Sequence, residues 1–214
     1  MPTAPAADRH AVTARAIDAG VVAVIRLPDP SAMPHVVEAL VAGGVTGIEI
    51  TMTVPNALVL IRETADRFGD AIVLGVGSVL DAPGARAAAA AGAEFVVSPV
   101  MKPEIIAASH GAGAPAFVGA FTPTEIQTAY EHGADIVKVF PADVLGMAFF
   151  KGVLAPMPHL RLMPTGGVSL TNAGDWRRAG ACAVGAGSAL LDAKAIADGR
   201  YDVLTERAKA ITES

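Results

Sequence analysis

The chain has 214 residues and a formal net charge of −5; 52% of it is hydrophobic, 17% charged and 5% aromatic. The charged share lies below the ~25% usual for soluble domains, which leaves room for a large core. With no basic run, nucleic acid is not expected as a partner. The apolar stretches are all broken by Gly, Pro or a charge before the ~18 residues a membrane span needs.

In chain order, the sequence predicts a lead-in helix over Met1–Ala19 and then one recurring pattern. An Ala-rich helical stretch ends in Gly, and a short β-branched strand begins a few residues later. Asp18-Ala-Gly20 precedes Val21–Ile25, and Ala42-Gly-Gly44 precedes Gly47–Thr51. Phe68-Gly69 precedes Ile72–Gly75, and Ala91-Gly92 precedes Phe95–Ser98. His110-Gly111 and Gly113 precede Ala116–Gly119, and His132-Gly133 precedes Ile136–Val139. The strand Arg161–Pro164 lacks the glycine; Pro156 and Pro158 stop the helix before it. Ala179-Gly180 precedes Cys182–Gly185, and Ala193–Ser214 reads as a terminal helical region. Glycine after a helix adopts the left-handed conformation without a Cβ clash.

The strands are continuous apolar runs, the mark of parallel strands buried on both faces. Eight of them, spaced about 20–27 residues apart, predict a single α/β domain over 1–214: a closed (β/α)8 TIM barrel with an N-terminal lead-in helix. The alternative is a doubly wound open sheet, which usually has fewer strands; no Gly-x-Gly-x-x-Gly follows the first strand.

In such a barrel, function gathers at the carboxyl ends of the strands. The polar residues expected there are Arg26, Glu49, Thr51, Thr53, Ser78, Ser98, Thr122, Lys138, Thr165 and Ser188, with Gly75, Gly77, Pro99, Gly166, Gly167, Gly185 and Gly187 among them. Lys138 stands between Ile136-Val137 and Val139-Phe140, and Glu49 between Ile48 and Ile50. Charged side chains are rarely buried unless paired. One reading is an ion pair that only fixes the barrel's register, although desolvation makes such pairs weak stabilisers. The other is catalysis. Burial favours the neutral amine of a lysine, which can attack a ketone and form an imine. A partly desolvated carboxylate then suits the proton transfers, on the substrate methyl group and on the carbinolamine, directly or through a water.

Pro164-Thr-Gly-Gly-Val168 and Val184-Gly-Ala-Gly-Ser188 end two consecutive strands in glycine pairs, with Ser169 and Ser188 following. Loops in this position, with a nearby helix N-terminus, commonly bind phosphate; tight helix–strand packing is the other reading. Arg26 is a partner for a carboxylate or a solvated loop residue. The five histidines show no ligand spacing and strand ends offer one acid, so no metal is expected. Cys182, the single cysteine, can form no internal disulfide; it reads as a nucleophile or as a small buried hydrophobe. The N-terminus lacks a charged region followed by an apolar one, so no secretory signal and a cytoplasmic location are expected.

The motifs resemble those of the class I 2-keto-3-deoxy-6-phosphogluconate (KDPG) and 4-hydroxy-2-oxoglutarate (KHG) aldolases. The resemblance rests on Val22-Ala-Val-Ile-Arg26, Ala42-Gly-Gly-Val45, Ile48-Glu-Ile-Thr-Met-Thr-Val-Pro55, Leu74-Gly-Val-Gly-Ser-Val79 and Ala93-Glu-Phe-Val-Val-Ser-Pro99. It continues through Thr122-Pro-Thr-Glu125, Val137-Lys-Val-Phe-Pro-Ala142, Pro164-Thr-Gly-Gly167 and Val184-Gly-Ala-Gly-Ser188. It implies that Lys138 is the Schiff-base lysine and Glu49 the general acid/base. Thr165 would lie beside the reacting centre, with Gly166, Gly167, Gly187 and Ser188 as phosphate-binding turns. It places Arg26, Thr53, Ser78, Pro99 and Phe140 among the substrate-binding residues. It further implies a 2-keto acid sugar phosphate as substrate, no metal or other cofactor, and a homotrimer; the composition and the short apolar runs separately predict no membrane or nucleic-acid partner. Two positions depart from the family pattern. Thr53 stands where some members carry the arginine that binds the pyruvate carboxylate, a role expected to pass in part to Arg26. The third strand ends Gly75-Val-Gly-Ser78 instead of Gly-Ala-Gly-Thr, which keeps the hydroxyl and drops a methyl. Rival readings are another phosphate-binding barrel enzyme, such as a sugar-phosphate epimerase or a thiamin-phosphate synthase, and a non-catalytic sugar-phosphate binding barrel.

Overall fold

The computed structural model describes residues 8–214. The chain forms a parallel eight-stranded sheet with helices outside it, in the order β7-β6-β5-β4-β3-β2-β1-β8. The strands are β1 (Val21–Ile25), β2 (Gly47–Thr51), β3 (Val73–Gly77), β4 (Phe95–Ser98), β5 (Ala116–Ala120), β6 (Ile136–Val139), β7 (Leu162–Pro164) and β8 (Val184–Ala186). β7 and β8 close the ring through a bridge between Thr165 and Gly185 and a hydrogen bond from Cys182 N to Leu162 O, 2.9 Å. The expected (β/α)8 barrel is therefore observed, and the open sheet is not. β3 and β8 lie one or two residues further along the chain than their apolar runs suggest, because pairing with β2 and β1 sets where they start.

The helices are α1 (Arg9–Asp18), α2 (Met33–Ala42), α3 (Ala57–Phe68), α4 (Ala82–Ala90), α5 (Pro103–Gly111), α6 (Pro123–Glu131), α7 (Ala142–Leu154), α8 (Ala173–Arg178), α9 (Ala193–Ala197) and α10 (Asp202–Thr212). The expected lead-in helix is thus α1, its first seven residues lying outside those described. The terminal helical region is two helices, parted by Gly199 at φ +69°. Most helix-ending glycines behave as expected: Gly133 takes φ +90° after α6, and its N–H closes on Tyr130 O at 2.8 Å. After α5 it is Gly113, not Gly111, that turns left-handed.

The barrel interior has two halves. The lower half is apolar: Val22, Val73, Phe95, Val97, Phe117, Ile136, Met163 and Ala183 pack together, and Val12 and Ala16 of α1 plug the bottom. Phe95 and Phe117 stack with ring centroids 4.9 Å apart. Gly75 makes room for this stack, since a Cβ there would overlap the Phe95 ring. At the head of β6, buried Asp135 is held from three sides: by Arg9 (3.3 Å), by His110 (2.9 Å) and by the N–H of Ala116 (2.9 Å). That anchor fixes the strand whose next turn upward carries Lys138. No helix among the described residues is long and apolar enough to cross a membrane.

Candidate active site

The upper half of the interior is where the polar residues lie. Glu49 on β2 is completely buried and Lys138 on β6 is 5% exposed. Period-two alternation turns both inward. The Glu49 carboxylate rests over Gly77, where any Cβ would overlap it. Neither of its oxygens has a hydrogen-bond partner among the described residues. Burial pushes its pKa above the ordinary carboxylate value, and the charges of Lys138 and Arg26 pull the other way. The Lys138 ammonium position lies 5.3 Å from the centroid of the Phe140 ring, one strand-end turn away. A purely structural ion pair would need close hydrogen bonds to offset desolvation. The charge of Lys138 acts on Glu49, but neither Glu49 oxygen makes such a bond among the described residues.

Above them, Arg26, Phe140, Thr165, Gly166, Gly167, Gly187 and Ser188 line one cleft of about 430 Å3. Gly166 and Gly167 take φ +96° and +71°, and the turn packs so closely on α7 that a Cβ at Gly167 would lie 2.6 Å from Cβ of Asp143. Among the described residues, the N–H groups of Gly166, Gly167 and Ser188 donate to no protein acceptor. Free amides converging on a cleft attract an anion. At the start of α9 the Asp192 side chain caps the helix by accepting from Ala195 N, and pairs with Arg207. Thr165 has a buried hydroxyl with no partner among the described residues, and Gly185 is bare where a Cβ would overlap that hydroxyl.

The remaining residues are placed around this centre. Arg26 Nη2 reaches Ser78 Oγ at 3.4 Å, and Ser78 itself sits at φ +58°, a strained conformation for any residue but glycine. Thr53 is exposed at the rim and shares a 2.8 Å hydrogen bond with Thr51, whose hydroxyl donates to Ile25 O in the burial of the strand end. Thr53 lines neither this cleft nor the next one. Pro99 and Phe140 line an adjacent, apolar cleft of about 660 Å3 on the far side of β6. Thr122 and Ser98 have structural duties. Thr122 forms a capping box with Glu125 at the start of α6, and Ser98 Oγ donates to Val100 O at 2.7 Å. Cys182 is pushed up to about 11 by burial, which keeps it a thiol and removes it as a nucleophile. No three His, Cys, Asp or Glu side chains among the described residues are grouped to hold a metal.

Gly77, Gly119 and Gly185 had no role from sequence beyond strand-end or strand membership. Each sits where a side chain would collide: Gly77 with Glu49, Gly119 with the inward-folded Pro99 carbonyl beside Lys138's register position, Gly185 with Thr165. Glycine inside an apolar strand is the signal that would have found them, since it often marks a close approach by other atoms.

A lysine and a carboxylate buried beneath the C-terminal rim of a (β/α)8 barrel, with an amide-lined cleft above, mark the class of barrel proteins whose polar site lies at the carboxyl ends of the strands. Comparison with known proteins narrows it. The family described as KDPG and KHG aldolase matches residues 12–207. A 2-dehydro-3-deoxy-phosphogluconate aldolase of Treponema pallidum (strain Nichols) is 38% identical over 175 residues, covering 78% of this chain and 80% of its own. A 2-dehydro-3-deoxy-6-phosphogalactonate aldolase of Escherichia coli (strain K12) is 32% identical over 174 residues, covering 80% and 84%. A solved KDPG aldolase from Legionella pneumophila, with pyruvate captured as a covalent carbinolamine, superposes with a TM-score of 0.86 at 26% identity over 94% of this chain and 97% of that one. The chain belongs to the KDPG and KHG aldolase family and is a class I aldolase, a carbon–carbon lyase.

Proposed function

We propose that the protein cleaves 2-keto-3-deoxy-6-phosphogluconate, or a close 2-keto-3-deoxy phosphoaldonate, to pyruvate and glyceraldehyde 3-phosphate through a Schiff base on Lys138. The observation that carries this reading is the burial of Lys138 and Glu49 together, unbonded to each other, beneath a cleft edged by free backbone amides. The amine of Lys138 attacks the C2 ketone to give a carbinolamine, which loses water to become an iminium ion. The iminium draws electrons from the C3–C4 bond as the C4 hydroxyl gives up its proton, so the aldehyde leaves and an enamine remains. Glu49 moves the protons: it serves the carbinolamine hydroxyl, and it returns a proton to C3 to make the methyl group of pyruvate. Its raised pKa suits a group that must be acid at one step and base at another. Water then releases pyruvate and regenerates the amine.

The phosphate belongs at the Gly166–Gly167 and Gly187–Ser188 turns, and Arg26, braced by Ser78, takes part in binding the carboxylate. For the homotrimer, the supporting surface is the apolar one beside Pro99, where Val144 is 69%, Val100 41% and Phe121 36% exposed. Patches of this kind on a soluble protein mark contact sites.

Pyruvate and sodium borohydride test the mechanism. Reduction should leave one pyruvate-derived adduct, and peptide mapping by mass spectrometry should place it on Lys138. An adduct on Lys102 or Lys151, or a Lys138→Ala variant with full lyase activity, would remove the Schiff base from that strand.

A further inference from the structure

A second chamber of about 600 Å3 lies at the same end of the barrel, outside the cleft just described. It is formed where the loop after β1 meets the segment from Leu191 to Tyr201. Its apolar wall is Leu27, Leu191 and Ile196; its flat wall is the pair His35 and Tyr201, with ring centroids 5.1 Å apart and planes 31° from parallel. Two charged groups reach it. Asp29 is turned into its own loop, accepting from Ser31 N at 2.9 Å. Arg26 is different: its one hydrogen bond is the 3.4 Å contact to Ser78, and no carboxylate lies within ion-pair distance of it among the described residues.

Arg26 and Leu191 line this chamber and the amide-edged cleft alike. A guanidinium without an acidic partner, at the mouth of a pocket with apolar and aromatic walls, is complementary to a carboxylate on a flat apolar body. The geometry points to a second small-molecule site here, for an aromatic carboxylate, which engages Arg26 from the side opposite the substrate. Such a ligand stacks its ring on His35 and Tyr201 and withdraws Arg26 from the reaction, so it inhibits the lyase in competition with substrate. The competition rests on the function proposed above; the binding does not.

The probe is 2-naphthoate, with 2-naphthalenemethanol as its uncharged counterpart, titrated calorimetrically into the full chain and added to the lyase assay. The expected result is one binding event per chain, at least about tenfold weaker for the alcohol, since loss of one charge-assisted contact is of that order. Ala197→Phe, which fills the chamber, and His35→Ala, which removes the flat wall, should each weaken naphthoate several-fold while leaving lyase kcat/KM unchanged. Naphthoate should raise the apparent KM and leave kcat alone. No binding, equal binding of the alcohol, binding of undiminished affinity in Ala197→Phe, or purely non-competitive inhibition overturns the inference. So does an Ala197→Arg variant that changes the sedimentation coefficient, because a second copy would then cover the chamber. Naphthoate binding that Ala197→Phe abolishes, in a protein without lyase activity, keeps the site and discards the proposed function.

Discussion

The carboxylate of Glu49 occupies the space that a side chain on Gly77 would need. Thr51 pairs with Gly77 across the β2–β3 ladder, so the bare position lies two residue pairs above Glu49 and its partner Gly75. The two glycines of β3 thus serve different neighbours: Gly75 admits the ring of Phe95 below, and Gly77 admits the acid above.

Gly77→Ala should displace Glu49 and lower kcat by about 10²-fold or more, the usual scale for losing a positioned proton-transfer group. The far-ultraviolet circular dichroism should remain that of the wild type. Gly75→Ala should do the reverse, costing about 1–3 kcal/mol of stability by overpacking the Phe95–Phe117 stack. Melting temperatures and steady-state rates on the two variants separate these effects; a Gly77→Ala enzyme with normal kcat would show that Glu49 need not stand where it does.

Glu49 gives a pH dependence with a definite sign. Burial raises its folded pKa above the ordinary 4.5, so the folded state holds this proton more tightly than the unfolded chain does. Its contribution to stability is complete below 4.5 and is lost as the pH rises through the folded value. Glu49→Gln carries no such titration. Wild-type stability should therefore decline relative to Glu49→Gln across that window, by at most about 1.4 kcal/mol per pH unit. Urea unfolding of both proteins from pH 4 upward measures it, and a difference that grows in the wild type's favour with rising pH contradicts the assignment. Activity of Glu49→Gln should drop by about 10²–10⁴-fold.

Gly167→Ala places a Cβ 2.6 Å from Cβ of Asp143 and asks φ +71° of an alanine. The turn must shift, taking its free amides with it. The expected outcome is an increase of about tenfold in KM for the phosphorylated substrate, the effect of losing roughly one charge-assisted hydrogen bond. Borohydride trapping of pyruvate, which has no phosphate, should proceed at the wild-type rate. If trapping slows as much as cleavage, the turn supports the lysine and not the phosphate.

Val144→Glu tests the apolar face. A charge on a side chain 69% exposed in the isolated chain is harmless there, but it is buried if that face joins copies. Sedimentation velocity should show a trimer in the wild type and a monomer in the variant. A variant trimer as stable as the wild type moves the contact elsewhere.

Much of this protein was legible in its residues. Continuous apolar runs separated by glycine-ended helices specify parallel strands buried on both faces, and eight of them close into a barrel. A charge at the centre of such a run, as at Lys138 and Glu49, is costly enough that it stands out without any coordinates. The individual motifs also carried the family. Thr122 shows the limit: a hydroxyl just past a strand is equally a ligand group or a helix cap, and only its bonds with Glu125 decided for the cap. Thr53 likewise sits at the right sequence distance from Glu49, yet it faces the rim and binds Thr51.

The sequence by itself determined the strands, their order of burial and which two charges would be trapped among them, because periodicity and helix termination are local properties. Tertiary structure alone decided what those charges meet. Gly77 clearing space for Glu49, Arg26 standing between two clefts, Arg207 pairing with Asp192 and Asp135 fastening β6 from below all join residues far apart in the chain. Those juxtapositions depend on barrel closure and strand register, and neither is encoded within any one segment.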